Sequence, residues 1–456
     1  MKIHLPKPHP SKKVPMAQCD ILIMGGGPAG STISSLLSES GWDVVLLDKD
    51  HHPRFHIGES LLPMSLPIFD KLGVRDKVEE IGIVKRGAEF VSQYHNGSAV
   101  TYYFQGARDK TNPYAFQVRR SEFDQILLNN SKEKGTRVFE GVRVTNIDLN
   151  SSDMPLVTAK SEDGSTQEWK TRYVVDATGR DSILAKQLGT RKNNRRHNSS
   201  AIYSHFENAE RLQGDDEGNI SIYWFDEGWF WMIPLKDGTM SVGAVCRPGY
   251  LQNIKDLDQY LWDTVALSPD VTKRLQNARM TMKTRATGNY SYYSDQLVGK
   301  DYIMIGDAFA FIDPIFSSGV HLAMTSAIHA IDVIEATLKG NSQLPRIQKE
   351  YKSKSTRSLN TLSWFIYRMT QPALRNLFMN PRNVFGIEEE ILSMLAGDLY
   401  RKNSFNFQLF FFKILYYINF VACWKENWEA YKRRRLKPGD RHSLSMSLAG
   451  INWRFW

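Results

Sequence analysis

The sequence predicts an α/β protein of at least two lobes that opens on a parallel-sheet unit. Three observations carry this reading. The chain has 456 residues, more than one ordinary core holds. Short apolar runs, "ILIM" (21–24), "VVLL" (44–47) and "YVVD" (173–176), suit strands buried on both faces. Between the first two runs, a glycine-rich turn opens a helical segment that reaches to about Glu39.

That turn is the most informative stretch. Gly25, Gly27 and Gly30 have the spacing G-x-G-x-x-G, with Ala29 among them. Glycines there permit a tight turn, close approach of a pyrophosphate to the backbone, and close packing of helix on strand. The helix start offers unpaired N–H groups to phosphate. Asp48 ends the second strand 18 residues after Gly30, where a carboxylate accepts ribose hydroxyls. The spacing alone fits a plain glycine turn. Strand, helix, strand and acid together point to a bound dinucleotide.

Composition bounds the rest. Apolar residues make up 42% and charged residues 23%, a globular balance. Cys19, Cys246 and Cys423 lack metal spacing, so we expect no metal, no disulfide framework and a reducing, cytoplasmic setting. The first 16 residues are basic and proline-broken, without the apolar core of a signal peptide, and read as a flexible tail. The net charge of +9 comes with no nucleic-acid motif, so no nucleic acid is expected. An acidic partner or an anionic membrane surface accounts for it equally well. The most apolar stretch (405–424) is interrupted by Gln408, Lys413 and Asn419 and does not read as a bilayer span. Residues 371–400 and this stretch read as helices that cover an active site or form a docking surface. A packed helical lobe is favoured; a helix lying on a membrane is the other reading.

Further blocks carry a resemblance. In "DYIMIGDAFAFIDPIFSSGVHLAM" (301–324), Gly306 and Asp307 precede a proline, Pro314, and a second glycine-opened helix at Gly319. With "RFHIGESLLP" (54–63) and "FQVRRSEFDQIL" (116–127), the chain from 19 to about 340 resembles the FAD monooxygenase fold, that of para-hydroxybenzoate hydroxylase. The resemblance implies FAD, held by the turn glycines, by Asp307 on the ribityl chain, and by contacts from Arg54, Glu59, Arg120, Pro314 and Gly319. A surface salt bridge is the commoner role for either arginine alone. The expected partition is a tail (1–16), a core (17–345) and a helical C-terminal domain (346–456). Within the core, the FAD lobe takes 17–92, 115–190 and 285–345, and a mixed-sheet substrate lobe takes 93–114 and 191–284.

"WFWMIP" (229–234) places Trp229 and Trp231 on one face of a strand. Such pairs often only fill a sheet core. Inside this fold, however, W-x-W-x-I-P resembles the motif of flavin-dependent halogenases, whose tryptophans are proposed to keep substrate off the flavin. The resemblance implies an enzyme that uses reduced FAD, oxygen and chloride or bromide to make hypohalous acid. Halide would sit on the amides of Ser318 and Gly319, although Gly319 also suits plain flavin packing. A lysine would then pass the halogen to an electron-rich aromatic substrate. "IGIVKRGAEFV" (81–91) makes Lys85 the candidate, with Lys71 its rival. Tryptophan-halogenating members carry glutamate at the third position of P-x-x-S-x-G; here it is Phe316. The resemblance therefore favours phenolic or pyrrolic substrates, free or tethered to a carrier protein. With no second dinucleotide fingerprint, reduced flavin is expected from a separate reductase. The other readings are an aromatic hydroxylase using NAD(P)H, a reductase resembling those that saturate isoprenoid chains, and a flavin-binding adaptor at a membrane.

Overall fold

The structure is a computed structural model that describes residues 16–400 and 407–435, apart from 152, 195, 196, 248, 253, 289 and 290. Two large sheets organise it. The first is built on Met16–Met24, which pairs in parallel with Val44–Leu47 on one side and Thr166–Asp176 on the other. Arg137–Phe139 extends the sheet beyond Val44–Leu47. Strand Thr166–Asp176 serves two neighbours. Its first half pairs antiparallel with Leu156–Ser161, and its last residues pair in parallel with Tyr302–Met304. The three apolar runs are fully buried in this sheet, as continuous hydrophobic runs in parallel strands require. Helix Pro28–Glu39 packs against helix Gly319–Leu338. The latter turns Ala323, Ala327, Ala330 and Ile334 inward at helical spacing, which allows close approach.

The second sheet is antiparallel but for one pairing. Its order runs Ser200–Glu207, Met240–Cys246, Gly228–Pro234, Ile220–Phe225, Gly87–Ser92, Ser98–Tyr103. Both faces are covered. Phe230, Met232, Val242 and Ala244 face helices Leu257–Val265 and Pro269–Arg274, while Trp224, Trp229, Trp231 and Ile233 face the other way. Onto that second face pack helices Leu344–Ile366, Pro372–Met379, Ile387–Leu395 and Phe407–Ala422.

Three sequence boundaries shift accordingly. Gly87–Ser92, expected in the FAD lobe, pairs in parallel with Ile220–Phe225, where the Phe90 ring stacks on Trp224. The C-terminal helices share one hydrophobic cluster with the second sheet. The division at 345/346 also falls inside helix Leu344–Ile366. The division at 190/191 falls at strand Arg191–Asn193, which pairs with Tyr292–Ser294 of the expected FAD lobe, and Ser199 and Ser200 beyond it are buried. The N-terminal tail lies outside the described residues, as do the side chains of "KRRR" beyond Lys432.

Candidate active site

The carboxyl ends of the parallel strands face the second sheet across a cavity of about 370 Å³. Each fingerprint glycine meets a different constraint. Gly25 has φ 103°, and a Cβ there would lie 2.4 Å from the Ala177 carbonyl oxygen. At Gly30 a Cβ would come 1.8 Å from the Gly25 carbonyl oxygen. Gly27 is different: a Cβ would meet only the Arg54 Nη2, at 3.9 Å, on the open cavity side. The fold itself needs the first two. The third is needed only if something occupies the space between Gly27 and Arg54.

What fits there is a dinucleotide. Arg54 lines the cavity with its Nη2 nearest Gly27; its Nε makes no hydrogen bond but lies 3.6 Å from Asp50 Oδ2, and its Nη1 lies 3.7 Å from Asp124 Oδ2. Asp48 accepts from the Gly26 amide (2.6 Å) and the Asp50 amide (2.9 Å). Burial alone would raise its pKa, but His52, these amides and Arg54 outweigh it and hold the carboxyl at about 2. The group stays ionised, an acceptor on the cavity wall. Asp307 also lines the cavity. Burial pushes it up to about 6, only partly offset by Arg120 and Arg180.

Arg120 is not a surface pair. It is buried, forked onto Asp124 (2.7 and 2.9 Å), and donates to the Ile57 carbonyl at 2.9 Å. It thereby fixes the "GES" loop against the cavity. Glu59 of that loop is buried; its Oε1 lies 2.8 Å from His205 Nε2, and its Oε2 lacks a partner among the described residues. Ala29, Pro314 and Gly319 line the same cavity.

The tryptophans form the facing wall. Trp229 and Trp231 project from Gly228–Pro234 with centroids 6.0 Å apart, and both line the cavity. Trp231 lies across Gly243 of the adjacent strand, where a Cβ would come within 2.3 Å of its ring. Its indole Nε1 donates to Ser241 Oγ at 3.2 Å. Sequence reasoning missed Ser241, Gly243, His205 and Ser60, each an ordinary sheet or loop residue by pattern.

The two candidate lysines differ in their surroundings. Lys85 ends strand Ile83–Lys85 and is 1% exposed; its Nζ donates to Ser60 Oγ (2.8 Å) and the Leu61 carbonyl (3.1 Å). The Phe104 ring centroid lies 5.2 Å from the same atom. Burial lowers Lys85 to about 7. A neutral amine has two N–H groups, and both are used, which leaves its lone pair free. Ser60 lines the cavity, so Lys85 stands one side chain behind its wall. Lys71 is exposed on helix Leu66–Leu72 and belongs to no such arrangement.

The loop before helix Gly319–Leu338 closes the ring. Ser317 adopts a left-handed backbone (φ 55°), and its amide donates to the Pro314 carbonyl at 2.9 Å. Ser318 caps the helix with no side-chain hydrogen bond, so the first-turn N–H groups keep their positive end open. Phe316 points away from the cavity and sits edge-on to Phe365, with centroids 6.4 Å apart.

Residues 18–361 match the model of the FAD binding domain family. The chain is 30% identical over 409 residues to a 1H-pyrrole-2-carbonyl peptidyl-carrier-protein chlorinase of Pseudomonas fluorescens, covering 84% of this chain and 89% of that one. It is 34% identical over 341 residues to a tryptophan 2-halogenase of Chondromyces crocatus, covering 73% of this chain and 64% of that enzyme's length. The solved myxobacterial chondrochloren halogenase superposes with a TM-score of 0.74 at 29% identity, covering 90% and 97% of the two chains. The chain belongs to the flavin-dependent halogenases, a family built on the FAD binding domain. Its cofactor is FAD.

Proposed function

We propose that this chain halogenates an electron-rich aromatic compound, phenolic or pyrrolic, free or presented on a carrier protein. Bound and reduced, FAD supplies with oxygen the two-electron oxidant that converts chloride or bromide to hypohalous acid. The protein's own residues do the rest. Arg54 and the turn amides hold phosphate, Asp48 and Asp307 accept hydroxyls, and the Ser318 and Gly319 amides hold halide. Trp229 and Trp231 bar the substrate from the cavity. The neutral Lys85 amine attacks the halogen of hypohalous acid; the oxygen–halogen bond breaks as the N–halogen bond forms, and the departing hydroxide takes one amine proton and leaves as water. The aromatic ring then takes the halogen and returns a proton to nitrogen. Lys85 carries this reading, because a fully buried lysine whose pKa burial lowers to about 7 stands behind the flavin cavity, within reach of the neutral form near pH 7.

Phe316 supports the substrate class. It offers no carboxylate to assist an unactivated ring, and phenols and pyrroles need less help. The 34% identity to a tryptophan 2-halogenase keeps indoles in the test panel. The three free cysteines suit a cytoplasmic setting. The test is mass spectrometry of phenol, pyrrole and indole substrates, free and carrier-bound, with FAD, a flavin reductase and bromide. A product gaining bromine supports the reading; a product gaining oxygen makes the chain a hydroxylase.

A further inference from the structure

Helix Phe407–Ala422 is apolar apart from Gln408, Lys413 and Asn419, and among the described residues it packs through one side. Phe412 and Tyr416 face inward, stacked on Phe365 and edge-on to Trp364. The opposite side carries Phe407, Ile414, Tyr417, Ile418 and Val421 at helical spacing, with Ile418 61% and Val421 70% exposed. The next helix, Trp424–Arg435, continues this surface with Trp424 and Trp428, both more than half exposed. Among the described residues, no single helix is long and apolar enough to cross a membrane. The two helices together are, but they bend by 79° at their junction. An apolar surface of this extent marks an interaction site.

Charge selects the partner. The only charged residue of the first helix is Lys413, and the second holds five basic residues against two acidic ones. Lys425 and Lys432 lie 6.0 and 5.4 Å from the Trp424 and Trp428 ring centroids, so cation and exposed indole share one side. Amphipathic aromatics interleaved with cations beside an aliphatic stripe fit the headgroup level of a bilayer. A second copy would bring this basic strip against itself, in a chain already at +9. We propose that the helix pair is a peripheral anchor that lies flat on an anionic membrane surface, independently of the reaction assigned above.

The experiment uses the full-length, FAD-loaded protein and sucrose-loaded vesicles of phosphatidylglycerol and phosphatidylcholine in equal parts. Co-sedimentation should be at least tenfold stronger than with phosphatidylcholine alone and should weaken with salt. The double change Ile418→Glu with Val421→Glu, at exposed positions, should lower it at least tenfold with unchanged FAD content and melting temperature. Lys425→Glu with Lys432→Glu should lower it while leaving the aliphatic stripe intact. Failure of the wild type to prefer anionic vesicles overturns the proposal. So does a dimer, seen by light scattering, that Ile418→Glu splits, since that result gives the surface to a second copy.

Discussion

At the scale of single residues, the fingerprint glycines make a discriminating experiment possible. Replacing Gly25 or Gly30 would drive a Cβ into backbone within the first lobe, so loss of folding there says nothing about a ligand. Gly27 faces open space. Gly27→Val should therefore fold with a near-normal melting temperature and yet purify colourless, because the side chain fills the pyrophosphate position. Retention of FAD at unchanged affinity would contradict the assignment. Lys85 yields a pH prediction. Its folded pKa, about 7, is depressed below the ordinary lysine value of 10.5. The folded protein thus releases this proton first, and the group's contribution to stability is greatest above 10.5 and is lost as pH falls through 7. Lys85→Met should melt higher than the wild type near pH 7, with the gap narrowing as pH rises toward 10. Transfer of halogen, which needs the neutral amine, should climb through about pH 7 in single-turnover measurements. A flat profile from pH 6 to 8 would count against the neutral amine.

At the scale of elements, strand Gly228–Pro234 couples the site to the second sheet. Trp231 keeps its place because Gly243 on the neighbouring strand has no side chain. Gly243→Ala should over-pack that contact at a cost of about 1–3 kcal/mol, lowering Tm by several degrees. FAD content should persist while product yield falls, as Trp231→Ala should also show; unchanged yield in both would return the indoles to plain core filling. The sequence made the first parallel unit legible because its strands are continuously apolar and its turn has fixed glycine spacing. It placed Lys85 above Lys71 only through resemblance; the burial against Ser60 and Phe104 that sets Lys85 apart depends on contacts formed at long range. The edge between the lobes was misplaced because Gly87–Ser92 carries the same apolar character whichever sheet receives it. Its parallel pairing with Ile220–Phe225 joins residues more than 130 positions apart.

At the scale of the whole molecule, two sheets meet over one cavity, and the C-terminal helices seal the aromatic face of the second. The sequence holds one glycine fingerprint, which the proposed function gives to the flavin, so the protein alone should not consume NAD(P)H faster than its free flavin does. Substantial NAD(P)H oxidation without an added reductase would favour a hydroxylase. The central claim is that the chain makes an oxidised halogen at the flavin and directs it through Lys85. The most direct measurement follows oxidation of reduced flavin and appearance of brominated product in the same reaction, for the wild type, Lys85→Ala and Lys85→Arg. Flavin oxidation should continue at a similar rate in all three. Bromination should fall by several orders of magnitude in both variants, arginine failing because its guanidinium stays protonated. Near wild-type bromination by Lys85→Ala would contradict the account.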